Sequence, residues 1–221
     1  MRLRIKYSKT GQMAFLGHLE MLRLWQRAMR RAGLPVAMSQ GFNPHPRLAF
    51  GPALALGLES LAEYLDVELA ADREPDRVQV ELQAQLPPGL EILLVRTIPD
   101  QAPALTAVID VAAYRVTWLE KVDPVLLQQR VESLLARQEV LVRRTGRDGR
   151  PRVKDIRPGI LKLVLDPSPD LVMLLQCSQT GSVRPEEVLK ALALEAPARM
   201  VRTGLFARRG DDLLAPEDIS G

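Results

Sequence analysis

The sequence is poor in the residues that most often carry metal or thiol chemistry. It has one cysteine and two histidines in 221 residues. Because Cys177 has no second cysteine to pair with, an intramolecular disulfide is excluded, and the apolar run around it is typical of a buried structural thiol. No zinc-type spacing of cysteine and histidine is present, so we expect no metal site in the chain.

Long apolar runs are also missing. Stretches without charge, such as residues 48–58 and 171–183, are shorter than the roughly 18 apolar residues that a membrane span requires. The first residues alternate basic and apolar side chains and lack the continuous apolar segment of a secretory signal. We therefore expect a cytoplasmic protein with no membrane segment.

The motifs of common nucleotide enzymes and hydrolases are absent as well. The sequence contains no glycine-rich phosphate loop, no dinucleotide fingerprint and no Gly-x-Ser-x-Gly nucleophile elbow. A self-contained kinase, oxidoreductase or hydrolase therefore has no support.

What the sequence does contain is a strong segregation of charge. Residues 1–52 carry nine basic residues and one acidic residue (+8), and residues 53–136 carry six and fourteen (−8). Residues 137–165 carry nine and three (+6), and the remainder carries six and nine (−3). If the two basic blocks lie on one surface, they would attract a polyanion, and we expect this polyanion to be RNA. The alternative is local neutralisation of the basic blocks by the acidic blocks.

Two elements of the first basic block show regular periodicity. The run Arg2-Leu-Arg-Ile-Lys-Tyr alternates with a period of two, which predicts a strand with Arg2, Arg4 and Lys6 on a solvent-exposed face. Residues 17–32 change to the helical period and predict an amphipathic helix that ends at Gly33. Its predicted basic outer stripe consists of Arg23, Arg27, Arg30 and Arg31.

A stiff loop follows at Gly41-Phe-Asn-Pro-His-Pro-Arg. Its two prolines fix their own backbone and restrict the residue before each of them, Asn43 and His45. Such a loop can hold Asn43, His45 and Arg47 in set directions. Phe42 either anchors the loop in the core or stacks on a nucleobase.

His18 and His45 are the candidates for acid and base chemistry. If they converge, they could act as a pair on an RNA phosphate or share a metal ion. For His18, a helix-capping or core position is the simpler interpretation. Asp66, on a predicted strand at residues 63–69, could hold an arginine or a metal or be an ordinary edge-strand charge.

The second basic block, residues 143–154, has a turn at its centre and resembles a hairpin tip. Basic hairpins commonly contact backbone phosphates without reading sequence, whereas a solvated loop is the alternative. The predicted phosphate contacts here are Arg144, Arg147, Arg150, Arg152 and Lys154.

The order of predicted elements is strand, helix, strands, helix, strand, and the second half repeats it. This order predicts an α+β fold of two tandem ferredoxin-like domains with antiparallel sheets. We place the N-terminal domain at residues 1–100, the C-terminal domain at 107–210, a linker at 101–104 and a weakly ordered acidic tail at 211–221.

Three motifs resemble the uncharacterised radical SAM-linked protein family: Phe15-Leu-Gly-His-Leu-Glu, Arg27-Ala-Met-Arg-Arg-Ala-Gly-Leu-Pro-Val and Ser39-Gln-Gly-Phe-Asn-Pro-His-Pro-Arg-Leu, followed by Glu63-Tyr-Leu-Asp. The resemblance implies a radical SAM partner protein that often carries a cobalamin-binding domain. It also implies one functional surface, made of Gly17, His18, Arg27, Arg30, Gly41, Phe42, Asn43, His45 and Arg47. Because this chain lacks the clustered cysteines of an iron–sulfur site, the partner would supply the cluster, S-adenosylmethionine and cobalamin.

We therefore expect a non-catalytic accessory protein that binds RNA and presents it to a radical SAM enzyme. One alternative is a metal-independent endoribonuclease that uses His45 or His18, resembling the tandem ferredoxin-like enzymes that process CRISPR repeats. The other is a protein adaptor that never contacts nucleic acid. The predicted RNA-binding residues are Arg2, Arg4, Lys6, Arg23, Arg27, Arg30, Arg31, Phe42, Asn43, His45, Arg47, Arg144, Arg147, Arg150, Arg152 and Lys154.

Overall fold

The computed structural model describes residues 1–146, 148–168, 170–178, 181–194 and 196–219. The chain divides into two compact units, one formed by Met1–Asp110 with Gly204–Gly221 and the other by Val111–Thr203. Both units mix helices with antiparallel strands, so the predicted α+β class is confirmed. No helix in these ranges is long and apolar enough to span a membrane.

The first unit begins with four strands and two longer helices. Its elements are β1 (Arg2–Lys9), a 3-10 helix (Gly11–Phe15), α1 (His18–Arg31), β2 (Leu48–Phe50), β3 (Glu59–Glu68), α2 (Pro75–Gln83), β4 (Leu90–Ile98) and α3 (Leu105–Val108). The segment at 101–104, predicted to be a linker, lies inside this unit. The Arg2 guanidinium donates to the carbonyl of Ala102 in that segment, 2.5 Å away, which ties it to β1.

Strand pairing in the first unit follows the order β4-β1-β3-β2. All three pairings are antiparallel, and Arg4 lies opposite Asp66 on β3 and opposite Arg96 on β4. Each of α1 and α2 thus connects two strands that have a third strand between them, which is the split βαβ arrangement. The assignment of both units as tandem ferredoxin-like folds stays a prediction.

Helix α1 was predicted at nearly its observed bounds because its signals are local. The Glu20 carboxylate accepts the backbone N–H of Gly17 at 2.8 Å, which satisfies one of the free donors at the helix start. The helix ends before Gly33, whose φ of +66° is disfavoured for residues with a side chain. Its buried face packs on β1, where the rings of Trp25 and Tyr7 lie edge to face at 4.9 Å.

The second unit contains β5 (Val111–Trp118), α4 (Pro124–Ala136), β6 (Leu141–Thr145), β7 (Pro151–Asp155), a 3-10 helix (Arg157–Gly159), β8 (Ile160–Leu165), β9 (Leu171–Ser178), β10 (Gly181–Ser182) and α5 (Pro185–Ala191). Strand β9 pairs with β5 on one side and with β8 and β10 on the other. The predicted basic hairpin is confirmed, since β6 and β7 pair in the register Leu141↔Asp155 to Thr145↔Pro151.

The end of the chain returns to the first unit. Strand β11 (Ala198–Arg209) is followed by β12 (Asp212–Leu214), which pairs with it, and by a 3-10 helix (Pro216–Asp218). The prediction of a weakly ordered tail is therefore wrong for residues 211–219, while residues 220 and 221 lie outside the described ranges. The predicted boundaries also shift, because the first unit extends to Asp110 and regains the chain at Gly204.

Candidate nucleic-acid interface

The basic stripe of α1 lies on the surface of the first unit. Arg23, Arg27, Arg30 and Arg31 are all exposed, opposite the buried face of the helix. Their separations of three or four residues place them on one side of a 3.6-residue period. The structure therefore agrees with the predicted orientation of all four side chains.

Three of these four guanidinium groups have no partner among the described residues, whereas the fourth has one. Arg31 donates to the carbonyl oxygen of Gln85 at 2.6 Å. Among the residues that the structure describes, the guanidinium groups of Arg23, Arg27 and Arg30 have no hydrogen-bond or ion-pair partner. They can bind an external anion without first breaking an internal contact.

A groove of about 740 Å³ runs beside the stripe. Arg23, Arg27 and Arg30 line one side of it. Its remaining lining is largely apolar and consists of Gln26, Met29, Gly33, Leu34, Val36, Met38 and Pro46. The groove thus combines free positive charge with apolar surface. A second groove, of about 560 Å³, lies between α1 and the end of α2 and shares Arg27 with the first.

The loop at residues 40–45 begins and ends beside the groove, and the residues that flank it pair with each other to form a stem. The stem is held by an antiparallel bridge between Met38 and Pro46 and by the backbone N–H of Arg47, which donates to the carbonyl of Ala37 at 2.9 Å. Ser39 adds a second closure, because its hydroxyl accepts the backbone N–H of His45 at 3.0 Å and lies 2.8 Å from His45 Nδ1. Sequence reasoning missed Ser39; the available signal was a small hydroxyl residue facing the histidine across a two-proline loop.

The tip of this loop presents its side chains to solvent. Phe42, Asn43 and His45 are exposed, and Phe42 is exposed over its whole side chain. The interpretation of Phe42 as a core anchor is therefore wrong. Arg47 forms an ion pair with Glu68 in which Nη1 donates to both carboxylate oxygens, at 2.7 and 2.9 Å, and 47% of its side chain is still exposed.

The predicted basic face of β1 is not a surface. Arg4 is 2% exposed and uses its guanidinium internally: Nε and Nη2 donate to the Asp66 carboxylate at 2.8 and 2.9 Å, and Nη1 donates to the Pro216 carbonyl at 2.7 Å. Arg2 also donates to Asp66, at 2.8 Å. The prediction that Arg2, Arg4 and Lys6 share a solvent-exposed face is wrong, because residues from the C-terminal segment cover that side of β1.

Lys6 is part of a second internal cluster. Its Nζ lies 2.8 Å from the Glu217 carboxylate, which also accepts the Tyr64 hydroxyl at 2.6 Å. Burial, followed by the hydrogen bond to Glu217, raises the pKa of Tyr64. Burial alone would raise the pKa of Glu217, but hydrogen bonds from Lys6 and Tyr64 lower it by more and hold it below its ordinary value. The side-chain carboxylate of Glu217 therefore neutralises the charge of Lys6 on β1.

The environment of Asp66 decides between the three roles that the sequence left open: arginine partner, metal ligand or edge-strand charge. It is 2% exposed and accepts hydrogen bonds from two arginines. It is not an edge-strand charge, since β3 lies between β1 and β2. Of the three interpretations, the structure supports the arginine-holding one.

The two histidines line separate cavities. His18 is exposed, its ring lies edge to face on Phe50 at 5.2 Å, and it borders a small cavity with Lys9 and Glu63. His45 borders another cavity with Ser39 and other residues of the loop stem and of β3. The interpretation of His18 as a core residue is wrong. Within the described ranges, histidine, cysteine, aspartate and glutamate side chains form no group of three that could hold a metal.

Several predicted cations of the basic hairpin are occupied within the second unit. Arg144 donates to both oxygens of Glu187 at 2.6 Å and to the carbonyl of Ser182 at 2.8 Å. Lys154 donates to the same carbonyl, and burial, followed by the charge of Arg144, lowers the pKa of Lys154. The expected display of Arg144 and Lys154 at the hairpin surface is therefore wrong.

The remaining hairpin cations point outward. Arg150 is exposed, and Arg152, which is 69% exposed, lies 3.0 Å from Asp148. Arg147 lies outside the described residues. The hairpin thus offers fewer available cations than its sequence indicates, and the three free arginines of α1 are the stronger candidate interface.

Comparison with known proteins gives a family match. A family model described as "Uncharacterized protein conserved in bacteria (DUF2344)" matches residues 2–185. No curated protein matches the chain. Among solved structures, a chain in the crystal structure of a Cbf5-Nop10-Gar1 complex is similar, with 13% identity and a TM-score of 0.42 over 92% of this chain and 48% of that one. This protein therefore spans about half the length of the solved chain, and none of these matches assigns an activity.

Proposed function

The chain belongs to the DUF2344 family. We propose that it is a non-catalytic RNA-binding protein that presents RNA to a partner enzyme. The observation that carries this proposal is the set of three exposed arginines of α1, Arg23, Arg27 and Arg30, which have no partner within the described residues and line one groove. Guanidinium groups in this state bind phosphate oxygens strongly, since nothing inside the protein competes for their donors.

The partner that we propose is a radical SAM protein. The three motifs at residues 15–20, 27–36 and 39–48 support it through their resemblance to radical SAM-linked proteins, although the family description names no partner. The motif at 27–36 contributes Arg27 and Arg30 to the groove, and the motif at 39–48 contains the loop that Ser39 and His45 close. In this proposal the partner supplies the iron–sulfur cluster, S-adenosylmethionine and cobalamin, and this chain supplies the RNA-binding surface.

The salt dependence of binding tests the proposal quantitatively. Each phosphate contact to single-stranded nucleic acid contributes about −0.7 to the slope of log affinity against log salt concentration. If all three free arginines bind phosphates, the combined Arg23→Gln, Arg27→Gln and Arg30→Gln variant should lose about 2 units of that slope. Fluorescence anisotropy with labelled RNA between low and moderate salt measures it.

A matched variant controls for net charge. Arg77, Arg208 and Arg209 are also exposed arginines of the first unit, but they lie away from the groove lining. Replacing these three with glutamine removes the same charge and should leave the slope within about one unit of the unchanged protein. If the two variants lose the same amount of slope, or if neither loses any, RNA binding at the groove beside α1 would be contradicted.

The two other functions are distinguished by separate outcomes. Cleavage of labelled RNA that disappears in His45→Ala would indicate a nuclease. Recovery of a partner protein that survives nuclease treatment and depends on the α1 arginines, without any RNA affinity, would indicate an adaptor. Either result would replace the RNA-presenting function.

A further inference from the structure

We propose, as an extension of the RNA-binding function above, that the ligand is single-stranded RNA whose unstacked bases enter the apolar groove and stack on Phe42. The groove and the loop are contiguous, because Met38 and Pro46 line the groove and also form the stem of the loop. The proposal concerns the conformation of the RNA, which the arginines alone do not select.

The composition of the groove favours unpaired bases. A duplex presents phosphates and sugars to a protein and keeps its base faces inside the stack, so it has nothing apolar to place in a groove. The groove floor, by contrast, includes Met29, Leu34 and Val36. Its volume of about 740 Å³ falls within the roughly 300–1,000 Å³ of pockets that enclose small organic molecules, which suits unstacked nucleobases.

The arginines are spaced for a strand that follows the groove. With a rise of about 1.5 Å per residue, Arg23 and Arg27 lie about 6 Å apart along the helix axis, and Arg23 and Arg30 about 10 Å apart. Their positive charge complements a phosphate backbone on one side of the groove while the apolar side receives the bases. This charge complementarity identifies the occupant as a nucleic-acid strand.

Phe42 has no role in the fold that would explain its position. Its side chain is fully exposed, so it contributes no buried surface. The loop that carries it is closed by Ser39 and stiffened by Pro44 and Pro46, so its backbone is restricted before any ligand binds. An exposed aromatic ring on a rigid loop beside a cationic groove is the arrangement that proteins use to stack single-stranded bases.

The test compares a single-stranded RNA of twelve nucleotides with the blunt duplex of the same sequence, by fluorescence anisotropy at constant salt. We expect tighter binding of the single strand. Phe42→Ala should weaken that binding by about 5- to 100-fold, as expected for the loss of one stacked base, and should leave duplex binding unchanged. Phe15→Ala, at another exposed phenylalanine, is the control and should change neither.

A Phe42→Trp variant gives a direct readout. Stacking of a base on the new indole should quench its fluorescence on addition of the single strand and not on addition of the duplex. Equal affinity for the two RNAs, or Phe42→Ala without effect while the arginine variant still weakens binding, would overturn single-strand selection and leave the RNA-binding function intact. Failure of the unchanged protein to bind either RNA would refute both proposals.

Discussion

The buried ion pair of Asp66 gives the most direct test of what holds the first unit together. Asp66 and Arg4 are each 2% exposed, and the carboxylate accepts Arg4 Nε and Nη2 at 2.8 and 2.9 Å. The change Asp66→Asn keeps the size of the side chain, removes its charge and turns one acceptor oxygen into a donor that faces a guanidinium donor. Arg4 would then be a buried cation without a counter-charge.

Breaking a buried pair by removing one partner costs about 3–5 kcal/mol, because the remaining charge stays desolvated. The pair of Arg47 and Glu68 provides a comparison on the same strand, since Arg47 Nη1 also donates to both oxygens of a β3 carboxylate. Its side chains are 47% and 39% exposed, so Glu68→Gln should cost at most about 1 kcal/mol. Both substitutions replace a carboxylate by an amide of the same size. They differ in burial and in the additional hydrogen bond that Asp66 accepts from Arg2.

Urea unfolding measures both costs. Trp25 is fully buried in the core of the first unit, and a Trp118→Phe background makes it the sole tryptophan reporter. With a slope of about 2 kcal/mol per M, Asp66→Asn should lower the urea midpoint by about 2 M, and Glu68→Gln by less than about 0.5 M.

A loss below about 1 kcal/mol for Asp66→Asn, or equal losses in the two variants, would refute the argument from burial. The double replacement Arg4→Met with Asp66→Leu provides a further check. It removes both buried charges and should recover most of the stability that the single change loses.

Three further predictions concern other contacts. Burial raises the pKa of Glu187, but the side-chain hydrogen bond from Arg144, the backbone hydrogen bond from Arg184 and the charges of both arginines together lower it to below its ordinary 4.5. The contribution of Glu187 to stability is therefore complete above pH 4.5 and lost as the pH falls through the folded-state pKa, so Glu187→Gln should flatten the fall in urea midpoint below pH 4.5. Gly89→Ala should cost about 1–3 kcal/mol in thermal unfolding, because φ is +93° and the added Cβ would lie 2.5 Å from the Thr10 carbonyl oxygen. Glu217→Ala leaves Lys6 without its carboxylate and should cost about 1–3 kcal/mol in urea unfolding.

Two of these predictions have a comparison within the same protein. Gly11 also has a positive φ, of +57°, but an added Cβ would meet nothing within 4 Å, so Gly11→Ala should cost less than Gly89→Ala. Asp218 pairs with Arg96 at the surface, so Asp218→Ala should cost less than Glu217→Ala. If Gly11→Ala costs more stability than Gly89→Ala, or Asp218→Ala more than Glu217→Ala, the corresponding contact is contradicted. The same holds for the Glu187 contact if the urea midpoint of Glu187→Gln falls below pH 4.5 as steeply as that of the unchanged protein.

The candidate site was predictable where its geometry is local. The direction of the Arg27 side chain follows from its position in a 3.6-residue period, and the helix end follows from Gly33. The stiffness of the loop follows from Pro44 and Pro46 in the same way. The role of Ser39 was not predictable, because its contact with His45 depends on how the two sides of the loop meet.

Short-range periodicity and turn chemistry are therefore enough to specify the α+β class, the basic stripe of α1, the rigid loop and the hairpin. Which cations remain free depends instead on how distant parts of the chain pack together. The alternation at β1 showed that Arg4 and Lys6 share a face, but that face is covered by Pro216 and Glu217, more than 200 residues further along the chain. Exposure is a property of what packs on a face, and no local pattern contains that information.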